Sequence, residues 1–346
     1  MLVCDDLLTA YERLHDAGPE FGGDEEGDHG LTNHGPMAAE VVVRRGLDLR
    51  LDRWLDRYVE RLTPLPSPGQ PITDWRAALG DPRRLADWTA FFRAEVRSRP
   101  WREVLASWWP RLLPGIAAGS THGVIRVGHA VRALRVRSGP LVLDELANGL
   151  AFWAARSRVL PGGRGVGALS PAAALSALPT LPSRSGLIAH RLTRLAALPQ
   201  WPAAVGSLSV PADPDDVPEV LGALVDAATV RYLSVGRSSP VLLVHTATAP
   251  NAVLHCLPVL PKDLWRRSLA AAWAAAAAVT VTYAGPPTRS SALPRGDDPV
   301  GVLLDRAADH QDEHVIKFAD TAVESFARTG DHDALAAAHL AADLVK

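Results

Sequence analysis

A chain of 346 residues has room for one large domain or two small ones, and its 47% hydrophobic and 21% charged residues are those of a folded globular protein. Thirty-six basic against thirty-eight acidic side chains leave a formal charge of −2, which gives no electrostatic footprint for nucleic acid or an anionic membrane. Two widely separated cysteines, Cys4 and Cys256, exclude a disulfide framework and a thiolate zinc site, and they fit a reducing compartment.

The first ten residues, MLVCDDLLTA, carry acids where a secretory leader carries positive charge, so a cytoplasmic protein is expected. Residues 21–29, FGGDEEGDH, combine glycine and acids without apolar periodicity and predict a mobile loop. Helical spacing follows in Leu47, Leu51, Leu55, Tyr58 and Leu62, and again in Leu143, Leu146, Leu150 and Trp153. Proline- and glycine-rich breaks at 63–71, 160–182, 211–218 and 284–298 read as loops within one helical body. The GRGVG run at 163–167 lacks the strand and helix that a dinucleotide turn requires. Two valine-containing runs, 241–244 and 279–281, are candidate strands, the second equally a helix end. The longest apolar run, 269–281, is mostly alanine and shorter than the about 18 residues of a membrane span, so a buried helix is expected. The fold class is mainly α: a single large helical domain over 1–346, with an internal metal and substrate cavity.

Four segments place histidines beside strong structural signals. In residues 32–40, TNHGPMAAE, Pro36 suits the first turn of a helix and Asn33 or His34 its capping position, so that His34 faces a helix N-terminus, where the dipole disfavours an imidazolium. In residues 119–134, GSTHGVIRVGHAVRAL, a helix opened by Ser120 or Thr121 sets His122, Arg126, His129 and Ala133 on one stripe. In residues 244–253, VHTATAPNAV, His245 closes an apolar run, with Pro250 and Asn251 in a turn. In residues 309–324, DHQDEHVIKFADTAVE, one helix would carry His310, His314, Lys317, Thr321 and Glu324 on its polar face, with Val315, Phe318 and Ala322 on the apolar one. Each segment also has a structural reading: a capping or core histidine, or a solvated face on which Lys317 pairs with Glu313 or Asp320.

Lysine is scarce. Only Lys262, Lys317 and Lys346 occur among many arginines, and arginine cannot act as a neutral amine. In a cavity, desolvation favours the neutral amine of a lysine, which takes up carbon dioxide as a carbamate and becomes an anionic oxygen ligand. Histidines with one such oxygen and an open position suit non-haem iron that activates dioxygen.

The ordered set NHGPM (33–37), THGVIRVGHAVRAL (121–134), HTATAPNAV (245–253) and DEHVIKFADTAVE (312–324) resembles the questin oxidase-like family, and it spans most of the chain. The resemblance implies oxygenases that open anthraquinone-type rings in aromatic polyketide biosynthesis, as dioxygenases or as Baeyer–Villiger-like monooxygenases. It implies Fe(II) held by four histidines and a carboxylated lysine, which by motif are His34, His122, His245, His314 and Lys317. Where relatives often carry a second histidine one turn into the central helix, this chain has Arg126, with His129 a turn further on. His129 therefore makes one candidate more than the implied ligand set. Arg126 would steady a phenolate or enolate oxygen of the substrate, and Lys317, through its carbamate, would donate charge to the metal. The implied partners are an aromatic polyketide, O2 and a reductase. Trp108, Trp109, Trp153, Trp265 and Trp273 either stack on a planar substrate or fill the core. Two other readings stand beside this one. One is a metal-free Baeyer–Villiger-type monooxygenase using NADPH as external reductant, which the missing dinucleotide fingerprint disfavours. The other is a non-catalytic helical protein that binds a hydrophobic ligand.

Overall fold

Leu146, Leu150 and Trp153 recur at spacings of four and three, and the helix they predict runs from Pro140 to Ala155 with all three wholly buried. The same logic holds along the chain. The computed structural model describes residues 2–20, 32–162, 167–181, 188–288 and 297–346, and it is mainly helical. The loop expected at 21–29 and most of the glycine cluster at 163–167 lie outside the described residues. Among the described residues no helix is long and apolar enough to cross a membrane.

The chain divides into two compact units. The first, Met1–Val159 with Pro258–Leu260, contains α1 (Leu2–Leu14), β1 (Ala17–Glu20), α2 (Gly35–Arg45), α3 (Leu51–Val59), β2 (Leu62–Pro64), α4 (Trp75–Ala78), α5 (Leu85–Ser98), α6 (Trp101–Leu112), α7 (His122–Val136) and α8 (Pro140–Ala155). Its core forms where α8 packs against α5 and α7, and α2 against α1 and α7. Gly123 permits the α7–α8 approach, since a Cβ there would lie 2.8 Å from Trp153 Cα. The two strands pair antiparallel, with Glu20 opposite Leu62. The heptad-like run from Leu47 to Leu62 is only partly helix: the left-handed Gly46 ends α2 before Leu47, and Leu62 belongs to β2.

Trp88, Phe92 and Trp108 pack as an aromatic cluster, and Trp109 meets Trp153 edge to face at 5.2 Å between ring centres. Trp153 donates its indole N–H to the Gly115 carbonyl. These rings fill the core, each contributing on the order of 1.5–3 kcal/mol by burial.

The second unit, Leu160–Leu257 with Pro261–Lys346, contains α9 (Pro171–Ser176), α10 (Ile188–Arg194), α11 (Trp201–Val205), α12 (Val217–Val235), α13 (Pro240–Leu243), α14 (His245–Cys256), α15 (Trp265–Tyr283), α16 (Pro299–His310), α17 (Glu313–Thr329) and α18 (His332–Leu344). The central α12 packs against α14, α15, α17 and α18. Asp298, Asp312 and Asp331 accept backbone N–H groups at the starts of α16, α17 and α18, caps worth about 1 kcal/mol each. Trp273 is buried and donates to the Val205 carbonyl, while Trp265 is half-buried.

Four expectations are corrected here. The run 241–244 is not a strand but lies in and after α13, because Pro240 starts a helical turn; for 279–281, read as strand or helix end, the helix end holds, inside α15, where neighbouring alanines favour helix. The 160–182 stretch contains α9, capped by Ser170. His245 begins α14, and Pro250 sits within that helix rather than in a turn. The segment 309–324 is not one helix: Gln311, at φ 65°, separates α16 from α17 and leaves His310 on the former.

Candidate metal centre

The first unit brings His34 and His122 together. His34 caps α2 with its backbone, Pro36 follows in the first turn, and Asn33 Oδ1 accepts the Gly35 N–H at 3.1 Å, so the chain enters α2 in a fixed direction. His122 opens α7 after three left-handed residues, Gly119 (φ 49°), Ser120 (φ 59°) and Thr121 (φ 74°). For a β-branched threonine this conformation is strained. Both imidazoles are buried, and their Nε2 atoms lie 2.8 Å apart.

The opposite ring nitrogens fix the tautomers. His34 Nδ1 lies 2.7 Å from Glu20 Oε1, and His122 Nδ1 faces the Gly119 carbonyl. Both partners only accept, so each Nδ1 carries the proton. Glu20 also accepts from the Tyr58 hydroxyl at 2.6 Å and from Arg61 at 3.1 Å. In their neutral forms both Nε2 atoms are then bare, and two lone pairs would oppose each other at 2.8 Å. Only a proton or a metal ion shared between them relieves this. Two imidazole nitrogens bound at right angles to one first-row metal, with bonds of about 2.0–2.1 Å, stand about 3 Å apart, close to what is observed. The carboxylate behind His34 is the usual outer partner of a metal-bound histidine. The residues therefore fit a metal.

Three further buried atoms adjoin this pair in the chain: Thr32 Oγ1, Asn33 Nδ2 and Thr121 Oγ1 have no hydrogen-bond partner among the described residues. Buried polar groups are rarely left so.

The other two polar residues of the central stripe are engaged elsewhere. Arg126 meets Glu145 fork to fork, Nε–Oε1 2.6 Å and Nη2–Oε2 2.7 Å, with both side chains buried. His129 Nδ1 lies 2.8 Å from Glu40 Oε2, and Arg132 grips the same carboxylate. Although burial opposes ionisation of Glu40, Arg132 and His129 outweigh it and hold its carboxyl down at about 2.

In the second unit α14 and α17 run side by side in the same direction. His245 and His314 stand 5.5 Å apart between ring centres; Asn251 donates to Glu324 at 2.8 Å; His255 Nε2 meets Glu324 at 2.8 Å. His245 and Lys317 are almost wholly buried, at 1% and 2% exposure. Of the two readings of the polar face of α17, the solvated one does not hold: His314, Lys317 and Thr321 are all buried, and only Glu324 among the residues named for that face on α17 is half-buried. Asp312 caps α17 and lies 3.5 Å from His314 Nδ1. Burial opposes its ionisation, but the hydrogen bond and charge of His314 prevail and bring its carboxyl to about 2. Asp312, Glu313 and His314 together present ligand atoms within 4.8 Å of one another.

Sequence reasoning missed Glu20 and Tyr58 as supports, while Asn33 stands at the helix start where it was expected. Glu20 sits in a four-residue strand of sequence AGPE, which carries no strand signature, and its proximity to His34 arises only from pairing with β2. Comparison with known protein families, curated proteins and solved structures finds no match.

Proposed function

We propose that the protein is a non-haem iron oxygenase that uses O2 to cleave a C–C bond in an aromatic polyketide of anthraquinone or anthrone type. One observation carries the metal: the two buried Nε2 atoms of His34 and His122, both directed at one point by partners that fix their tautomers. The resemblance to questin oxidase-like proteins supplies the rest, naming His245, His314 and a carboxylated Lys317 as further iron ligands and a flat polycycle as substrate.

In this reading Glu20 sets the orientation and basicity of His34, and the Gly119 carbonyl does the same for His122. Thr32, Asn33 and Thr121 offer hydrogen bonds to the oxygen atoms of what binds beside them. Burial of Lys317 disfavours its ammonium form; the neutral amine adds to CO2 and loses one proton to give the carbamate, an anionic ligand whose charge the metal would balance. His129 belongs to the Glu40–Arg132 network, and Arg126 positions α7 through Glu145. The iron, when bound, supplies the binding and activation of dioxygen that protein side chains lack. The functional unit is the whole of 1–346, acting in the cytoplasm with an internal cavity for the substrate, and NADPH or a reductase provides electrons where the reaction consumes them.

The test is elemental analysis of protein purified anaerobically with bicarbonate, followed by turnover of an anthrone under 18O2. About one iron per chain, lost in His122→Ala and in Lys317→Ala, with label in the ring-opened product, is the expected result. Iron-free wild-type protein, or product without label, overturns the reading.

A further inference from the structure

We propose that the second unit carries a separate site for a small phosphate monoester with a hydroxylated body, a phosphorylated sugar or nucleotide, in the cleft where the ends of α12 and α15 meet α10. The cleft has a volume of about 540 Å³, within the range of small-molecule pockets. Its lining is polar: Arg191, Ser234, Arg237, Ser238, Tyr283 and Thr288 all reach it, and none of the residues that line it is acidic. The walls are tied together by the chain itself. The Thr288 amide and hydroxyl donate to the Ser234 carbonyl at 2.7 and 3.2 Å, and the Gly285 amide donates to Ser238 Oγ at 2.8 Å. Arg191 lies over the Tyr283 ring at 4.6 Å and donates to the Thr282 carbonyl at 3.4 Å. The site is therefore assembled before anything enters it, which lowers the cost of binding.

Two guanidinium groups decide the charge of the ligand. Arg237 is exposed on the turn that follows α12, and Arg231 stands on α12 one turn before Ser234, whose hydroxyl donates to the Arg231 carbonyl at 2.9 Å. Among the described residues neither has a carboxylate partner. For Arg231 this is costly. It is half-buried, its Nε is sealed from water without a hydrogen bond, and burial pushes the guanidinium below its ordinary value with no anion opposing the shift. Arg126 and Arg132, buried in the first unit, each hold a carboxylate instead. Two unmatched positive charges at one end of α12 call for a dianion. A phosphate monoester carries about −1.5 to −2 at neutral pH and takes guanidinium forks on pairs of oxygens. The carbonyl ends of α12 and α15 oppose an anion with about half a charge each, so binding rests on the two full charges of these arginines. The Tyr283 hydroxyl, pushed up to about 12 mainly by burial, stays protonated and is a further donor. Serine and threonine along the rest of the lining suit the hydroxyls of a sugar rather than an apolar body.

Calorimetric titration of the full chain at low ionic strength with ribose 5-phosphate, ribose and inorganic phosphate tests the proposal. Ribose 5-phosphate is expected to bind once per chain, about tenfold more tightly than inorganic phosphate, with no heat from ribose. Arg237→Gln, at an exposed position, should weaken it about tenfold with thermal unfolding unchanged. Arg231→Met should also weaken it while raising the unfolding temperature of the unliganded chain, because an unmatched guanidinium leaves a half-buried position. AMP distinguishes the source: binding about tenfold tighter than ribose 5-phosphate marks a nucleotide, and binding no tighter marks a sugar phosphate, and both support the site. No binding of either ester, inorganic phosphate bound as tightly as the esters, or affinity untouched in Arg237→Gln would each overturn it. So would Arg231→Met with a lower unfolding temperature and unchanged affinity, because Arg231 would then be a purely structural residue.

Discussion

Replacing Glu20 by glutamine changes charge while keeping shape, and it separates a metal-supporting carboxylate from a merely structural one. The wild-type carboxylate has Oε1 2.7 Å from His34 Nδ1 and 2.6 Å from the Tyr58 hydroxyl, and Oε2 3.1 Å from Arg61. An amide oxygen can keep the first two contacts, but as neutral bonds roughly half as strong. Its NH2 must then face Arg61, which is half in solvent and can swing away. Folding should therefore change by no more than about 1 kcal/mol. Metal affinity should fall by about 10- to 100-fold, as for other outer partners of ligating histidines, equivalent to about 1.4–2.7 kcal/mol. Anaerobic titration with Fe(II) against a competing chelator, alongside urea unfolding of the metal-free protein, reads both quantities. An unchanged metal affinity in Glu20→Gln, with folding also unchanged, would refute the assignment of His34 as a ligand tensioned by Glu20.

Three other outcomes follow from packing and charge. Glu145→Gln leaves the buried Arg126 guanidinium without its countercharge and should cost about 3–5 kcal/mol in urea unfolding, whereas Arg126→Met/Glu145→Leu should recover most of that loss; equal stability of both variants would refute the account. Glu40 has a folded-state value of about 2 against an ordinary 4.5, so its contribution is present above pH 4.5 and is lost as pH falls through 2. On the order of 3 kcal/mol should disappear across that window, and Glu40→Gln should flatten that part of the stability profile. Gly123→Ala places a methyl 2.8 Å from Trp153 Cα and should lower stability by about 1–3 kcal/mol, together with metal content, because His122 is the adjacent residue.

Local signals made the helices legible, and tertiary pairing decided what they carry. Pro36 and the apolar spacing of α8 predicted α2 and α8 directly. The stripe of His122, Arg126 and His129 was correct as a helical face, yet its members part company because Glu145 and Glu40 arrive from other helices. Nothing in the local sequence announces those partners. The break at Gln311 was invisible because glutamine has no special preference for the left-handed region, unlike the glycines that end α2 and α17. The polar face of α17 read as solvated because amphipathicity reports polarity, not exposure. Lys317 shows the difference: it sits on that face at 2% exposure.

Several unfavourable features of the first unit collect at one place. Ser120 and Thr121 hold left-handed backbone immediately before His122, at a cost of about 1–3 kcal/mol for each such residue. Thr32, Asn33 and Thr121 bury polar atoms without partners among the described residues, each costing a further about 1–3 kcal/mol. The neutral imidazoles of His34 and His122 oppose lone pair to lone pair. A glycine at position 121 would relieve the left-handed strain there. A sequence otherwise consistent at the level of caps, periodicity and core is expected to break its local rules where a ligand is bound. The helices that meet here are also held by ordinary burial, with Val124, Val127 and Met37 wholly buried. On the proposed reading, a metal ion that accepts two imidazole nitrogens and brings oxygen atoms to buried donors would satisfy the opposed imidazoles and the unpartnered groups alike.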